Sequence, residues 1–529
     1  MQRKTRFSAA AAMLVAIAPT SHAVAATEPA KAPPKEVSNY VKCDGFPNNQ
    51  TGAETAARLV AVTAIIGLLA PKPEAADTSK RKIGAEGVAA CDLVLSGEKA
   101  ETNVERRIAL LLGRAIHQIE AKNYAAAIAD VGIARREAQT AGLMNDPYFA
   151  RSRAVSFDQI EAAALVRLRR FEEADAIASA SFEAAKFSLP YLLEMSGYAV
   201  FSREGSPSGL ARKIQLARLL PQLHPALGGS YMNAGRFVDA ARIFEDWISY
   251  DLSFSKAKNW HQGTYPMAAA ALAHGLAGDW DMATKRAAEA RANSQKRVTE
   301  GNPEQNRSDT SEMLDLFDVL KLAKDGNLAG ARRMFTGRSQ WLAPPLGAVM
   351  EVNNRLRPGA MKEDLIGPLA KTSDQMWEEQ REAALAQLLA KDGDNKTLFA
   401  LLTAYAKAGE FETMSAKVWK IDKSKILIKP REPVNDDEIA YVFGAPVTSR
   451  FDAYLLHTAL MARKDGKKKF LFMFNPSSNA SVVVRMGNAG DPTIPSSMAL
   501  DVDEVIAGLS PIIPDPVVLK ARRAAAPKK

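Results

Sequence analysis

From Leu227 to Trp247 (LGGSYMNAGRFVDAARIFEDW) apolar and small side chains recur three and four residues apart, break at Gly235, and resume in the same phase. That period is the signature of amphipathic helix, so the stretch predicts two short helices joined by a turn. Glycine enters a left-handed C-terminal cap without steric cost, which places the first helix's end at Gly235. Gly228 and Ala240 fall where the two helices touch, and Tyr231, Phe237 and Phe244 fill the seam on either side.

The pattern repeats. Indexed by the large residue that opens each second helix, it recurs at Tyr124, Phe171, Phe237, Trp280, Leu328 and Phe411. Three residues later stand Ala127, Ala174, Ala240, Ala283, Ala331 and Met414; two residues earlier stand Lys122, Arg169, Gly235, Gly278, Gly326 and Gly409. Nine residues earlier come Ala115, Ala162, Gly228, Ala271, Val319 and Leu402, mostly small. Leu227, Gly228, Tyr231, Gly235, Phe237, Ala240 and Phe244 together resemble the signature positions of the tetratricopeptide repeat family. The resemblance implies an α-solenoid of helical hairpins over residues 101–425, and a chain that is mainly α. The index residues lie roughly 43 to 83 positions apart instead of about 34, so extra or longer helices are expected between repeats. Leu189 to Leu220 is one such insertion, and Met361 to Ala370 with Met376 to Leu389 could form another hairpin.

Beyond residue 425 the periodicity changes. Lys469 to Asn475 (KFLFMFN) and Ser481 to Met486 (SVVVRM) read as strands, with Pro476 to Asn479 as a hairpin loop between them. With helices at Asp452 to Arg463 and Asp501 to Leu509, residues 426–515 are expected to form a small α+β module tied to the last hairpin, followed by a basic tail at 516–529. At the other end, Arg3, Lys4 and Arg6 precede an apolar run from Phe7 to Ala18 and the small-x-small site Ala23-Val24-Ala25, which predicts a signal peptide over 1–25 and a linker over 26–40. The run is shorter than the roughly 18 residues of a span, as is the apolar stretch Arg58 to Ala70, which reads as a buried helix.

Export changes how the two cysteines are read. Cys43 and Cys91 both lie in the exported part, where an isolated pair is expected to form a disulfide stapling a helical cap at 41–100; the alternative is two free buried thiols. Charge changes less. The net charge of +9 is concentrated in the signal segment and in Lys520, Arg522, Arg523, Lys528 and Lys529, which leaves a nearly neutral body and argues against nucleic acid. The tail could touch anionic envelope polymers or lipid headgroups.

Catalytic patterns are almost absent. There is no phosphate loop, no H-E-x-x-H and no G-x-S-x-G elbow. Ser253 to Lys256 (SFSK) fits S-x-x-K without its partner motifs and reads as helix surface. Of the histidines, His117, His224, His261, His274 and His457 show no ligand spacing; His274 takes the seam position held elsewhere by Tyr231, and His457 lacks a phased acid, since Asp452 is five residues away. Asp392, Asp394 and Asn395 read as a turn, because the twelfth position of a calcium loop would be Thr403. No cofactor or metal is expected.

The resemblance implies that first-helix positions line a concave inner face. Here these include Met232, Tyr265, Leu272, Met313, Leu316, Leu320 and Phe399, with Lys396 the single charged member, so the face would suit a protein or peptide with apolar anchors. The other reading is that they are core, covered by inserted helices. The expectation is an exported, periplasmic or secreted, non-catalytic interaction scaffold. Its rivals are an envelope hydrolase with a site between solenoid and C-terminal module, and a module that binds cell-wall polymer or lipid.

Overall fold

The computed structural model describes residues 37–48, 75–97, 100–202, 206–255, 263–394, 396–404, 408–420, 429–434, 437–441, 447–475 and 481–525. The signal segment, the linker up to residue 36, Arg58 to Ala70, His261, Asn395, the Pro476 to Asn479 loop, Lys528 and Lys529 lie outside these residues. The protein is mainly helical. In chain order its longer helices are α1 (Asn39–Asp44), α2 (Gly84–Leu95), α3 (Val104–Glu120), α4 (Tyr124–Thr140), α5 (Arg153–Arg167), α6 (Phe171–Ala178), α7 (Leu189–Met195), α8 (Pro207–Leu219), α9 (His224–Asn233), α10 (Phe237–Ser255), α11 (Thr264–Ala277), α12 (Trp280–Thr299), α13 (Arg307–Lys324), α14 (Leu328–Thr336), α15 (Leu346–Leu356), α16 (Ser373–Leu389), α17 (Val447–Lys464), α18 (Val502–Leu509) and α19 (Pro516–Ala525).

Five pairs form hairpins with one turn geometry: α3/α4, α5/α6, α9/α10, α11/α12 and α13/α14. In each, the residue two before the second helix has positive φ: Lys122 63°, Arg169 62°, Gly235 69°, Gly278 90° and Gly326 84°. The following amide reaches back to the first helix, as in Asn123 N to Gln118 O, Arg170 N to Leu165 O and Arg236 N to Tyr231 O, while the positive-φ amide takes the carbonyl three residues before it. That is the Schellman cap, which satisfies carbonyls a helix end would otherwise leave unpaired. Tyr124, Phe171, Phe237, Trp280 and Leu328 each open the second helix, as the indexing expects. Ala127, Ala174, Ala240, Ala283 and Ala331 are at most 1% exposed, and a Cβ on Gly228 would come within 2.6 Å of the Phe244 ring. Small side chains therefore let these helices meet, as their sequence positions suggest.

The sixth repeat is not a hairpin. Phe411 lies within a short helix, Ala408–Glu412, instead of opening a long one, and Leu402 follows a single 3-10 turn. With so little helix on either side, Gly409 has no long first helix to cap. The insertion after α6 is two helices, α7 and α8, around a 3-10 stretch Ser196–Phe201; Met361 to Ala370 gives only 3-10 turns, whereas α16 extends the expected helix back to Ser373. Thr372 and Gln375 there form a reciprocal capping box.

The cysteines form the Cys43–Cys91 disulfide, joining α1 to α2. These helices lie on α3, where Arg81 pairs with Glu120 at 2.8 Å and a ring nitrogen of His117 donates to Cys43 O at 2.6 Å.

Toward the C-terminus a five-stranded antiparallel sheet has the order β1-β2-β4-β3-β5, with β1 (Lys429–Val434), β2 (Asp437–Tyr441), β3 (Lys469–Asn475), β4 (Ser481–Gly487) and β5 (Leu500–Asp501). β3 and β4 pair in register from Lys469–Gly487 to Asn475–Ser481, as their alternation predicts. β1 carries two prolines and sits at the sheet edge, where missing donors are tolerated. The attachment is wider than expected: Tyr454, Leu455, Leu456, Phe470 and Phe472 share one core with Phe411, Met414 and Val418 of the last repeat and also with Tyr191, Leu192 and Met195 of α7. A narrow sheet with one helix cannot cover its own apolar face, and the middle of the chain supplies that cover. Of the expected basic tail, residues 516–525 form α19, anchored by Leu519 and by Arg523 against Glu412 at 3.2 Å.

Candidate functional site

The inner face implied by the sequence exists as a surface of the hairpins, and it is filled. α15 lies across α9, α11 and α13, the first helices of three successive hairpins. Met232, Leu272, Met313, Leu316 and Leu320 are buried in one core with Ala348, Val349, Val352 and Leu356 of α15. These five are therefore packing residues, covered by the chain's own segment, and not an open docking face. The physical reason is their uniform apolarity: a stripe this hydrophobic gains about 25 cal/mol for each Å² removed from water, and a tethered helix removes it without the entropy loss of a second molecule.

The fit is close. A Cβ on Gly347 would lie 2.3 Å from Met232 O, so α15 meets α9 backbone to backbone. Polar groups of the hairpins also hold the main chain of the segment. Asn233 Oδ1 accepts from Gly347 N at 2.9 Å, Glu312 accepts from Leu342 N and Ala343 N, and Tyr265 Oη donates to Ala343 O at 3.5 Å. Arg355 of α15 returns a bond to Leu276 O at 2.9 Å. Tyr265 is thus the one expected contact residue that still binds a segment through its polar end, and burial pushes its phenol up to about 12. The sequence reading missed Asn233, Glu312 and Arg355, because polar residues at helix ends carry no repeat phase that would mark them.

Phe399 changes sides. It belongs to the same returning stretch, which continues over the first hairpins: Leu398 enters their core, Arg81 stacks on Phe399 with 4.5 Å to the ring centroid, and Thr403 N donates to Ser156 Oγ at 2.7 Å. Asp392 anchors it through a bidentate pair with Arg167. Asp394 accepts from Lys396 N at 3.0 Å and from Thr397, which is the turn expected there.

The candidate chemical residues stay apart. His457 is fully buried, donates from Nδ1 to Val418 O at 2.7 Å, and burial lowers its pKa, so it is neutral and enclosed. Asp452 faces Arg151 at 2.6 Å instead, with burial raising its carboxyl to about 6. His274 bridges Glu245 and Asp279, each at 3.2 Å, in keeping with a place in the hairpin seam. Ser253 to Ser255 end α10, and Lys256 lies outside the described residues. Among the described residues no group of three or more His, Cys, Asp or Glu could hold a metal ion, and no helix is long and apolar enough to cross a membrane.

No protein-family model matches the chain, and neither the curated proteins nor the solved structures contain a match.

Proposed function

We propose that the chain is an exported, periplasmic scaffold of divergent tetratricopeptide-like hairpins that binds a protein partner and carries out no chemistry of its own. The observation behind this reading is the hairpin array's grip on residues 341–356, which combines an apolar stripe with Asn233, Glu312 and Tyr265 on the main chain of the held segment. That is the way helical arrays hold extended and helical segments generally. The signal segment and the disulfide support an oxidising envelope compartment.

With the inner face filled, a partner with apolar anchors engages the rim where the returning segment leaves α14. Leu342, Met361 and Ile366 are 62%, 66% and 55% exposed there. Arg332 of α14 ties this rim down through Pro358 O at 2.8 Å and Asp364 at 3.4 Å. The test is a photoreactive side chain placed at position 342, 361 or 366 in the native host. The scaffold reading expects one discrete protein adduct. No adduct from any of the three, together with substrate turnover by the purified chain, would replace it with the hydrolase reading.

A further inference from the structure

Where the inserted helix α8 meets the third hairpin lies a small cavity of about 50 Å³ whose walls come from four separate elements. Ala199 and Val200 come from the 3-10 stretch Ser196–Phe201, Leu210 and Lys213 from α8, Asn233 from the end of α9, and Trp377 from α16. Nothing in the scaffold reading uses it.

The polar inventory of this cavity is unbalanced. Among the described residues its lining holds a cation, Lys213, the neutral polar side chains Ser202, Ser230, Asn233 and Gln380, and no carboxylate. Lys213 has no ion-pair partner among the described residues. The adjacent Arg212 is committed to Asp175 at 2.5 Å, so that acid is already taken. Burial, helped by Arg212, pulls the Lys213 ammonium below its usual range, which is the behaviour of a charge short of a counter-ion. Trp377 is 7% exposed, and its indole Nε1 is a buried donor without an acceptor. Buried donors in native proteins are nearly always satisfied. Ser230 Oγ donates to Ala226 O at 3.0 Å, Asn233 Oδ1 already accepts from Gly347 N, and neither Ser202 nor Gln380 of the lining accepts from the indole.

The size of the cavity limits what could complete it. A water molecule requires roughly 10–15 Å³, so the space suits about three to five non-hydrogen atoms. That excludes sugars, nucleotides and peptide side chains of ordinary length. A tetrahedral oxyanion presents oxygen on every side, whereas Ala199, Val200, Leu210 and Ala234 make part of the lining aliphatic beside Ser202, Ser230, Asn233 and Gln380. A planar group with two acceptor oxygens and a short hydrocarbon stub matches both the two donors and the aliphatic wall.

We propose that this cavity is a binding site for a carboxylate on a one- or two-carbon stub, of acetate or propionate size, with its oxygens taking Lys213 Nζ and Trp377 Nε1 and its carbons against Val200 and Leu210. The ligand stands at the joint where α8, α9 and α16 meet, so binding stiffens that joint. This inference does not depend on the scaffold reading.

The test uses the full mature chain, titrated with sodium propionate at constant ionic strength and followed by tryptophan emission and by calorimetry. So small a ligand is expected to bind with a Kd on the order of 1 mM. The site predicts saturation by propionate and acetate and at least tenfold weaker binding of propionamide. It predicts a tenfold or greater loss in Lys213→Met, which keeps the aliphatic stem. Trp377→Phe, which removes the N–H donor while keeping an aromatic ring, should weaken binding severalfold and remains informative if the lysine variant does not fold. A short peptide with a free C-terminus that competes with propionate would identify a chain end as the source of the carboxylate; one that does not would identify the free acid. Equal responses to propionamide and propionate, or wild-type binding by both variants, would overturn the proposal and leave a cavity filled by water alone.

Discussion

Lys122 and Arg169 stand where the other three hairpins have glycine, and both hold positive φ. An L side chain pays roughly 1–2 kcal/mol to enter that region. Replacing Lys122 with glycine removes this strain but loosens the unfolded chain, which offsets roughly 0.4–1 kcal/mol. Lys122→Gly is therefore expected to stabilise by about 0.5 kcal/mol, and Gly326→Ala to destabilise by about 1 kcal/mol, both read from urea midpoints at unchanged m. The same comparison shows what the sequence made legible at this scale. Turn position and buried alanine were readable because each is a local demand that one residue meets. The partner of a buried charge was not: Arg151 and Asp452 lie about 300 positions apart in the chain and meet only when it is folded. Burial raises the carboxyls of Asp452 and Asp158 to about 6, with Arg151 and Ser181 respectively opposing the rise. Because the folded pKa lies above the unfolded one, their contribution is fully present below about 4 and is lost as pH rises through about 6, by roughly 3 kcal/mol for each. Asp452→Asn should flatten the stability profile between pH 4 and 6, measured by denaturation at several pH values; an unchanged slope would show that this carboxyl titrates normally.

At the scale of elements, the hairpins that the indexing found are those in which a seam, a cap and an apolar phase agree. Beside the sixth repeat and Met361 to Ala370, it left α15 unread, whose placement no local pattern marks. Its apolar face (Val349, Val352, Leu356) could have met any stripe in the molecule, and the backbone approach at Gly347 fixes which, together with the bonds of Asn233, Glu312, Tyr265 and Arg355. Gly347→Val should accordingly destabilise by several kcal/mol, because the clash is with Met232 O and the Asn233 backbone and not with a side chain that can turn away. β1 and β2 went unread for a different reason: β1 carries two prolines at the sheet edge, and β2, five residues long, is too short to show a clear alternation. The disulfide was readable from compartment and count. Removing it as the Cys43→Ser, Cys91→Ser pair should lower stability by about 4 kcal/mol or less in the chain-entropy account, with far-UV circular dichroism otherwise native. Both sulfurs are fully buried, so the native protein should resist reduction that the urea-unfolded protein does not.

Across the whole molecule, the expected boundary at residues 425 and 426 is not a boundary of the core. α7 packs with α17, β3 and α18; Tyr148 donates to Ile512 O at 3.1 Å, and Trp419 donates to Ile513 O at 2.8 Å. A fragment beginning at residue 426 should fail to fold, and a chain ending at residue 425 should aggregate by exposing Tyr191, Leu192 and Met195. The C-terminal module and α7 should unfold in one transition by calorimetry. Composition and period could assign the class of each segment, but not that a returning stretch would run back across both hairpin groups. The central claim is that the array holds its own chain on its inner face, so the decisive measurement is native-state amide hydrogen exchange over residues 346–356. Protection there equal to that of α11 and α13 is the predicted result; exchange as fast as in the exposed loops would mean an open groove and contradict the account.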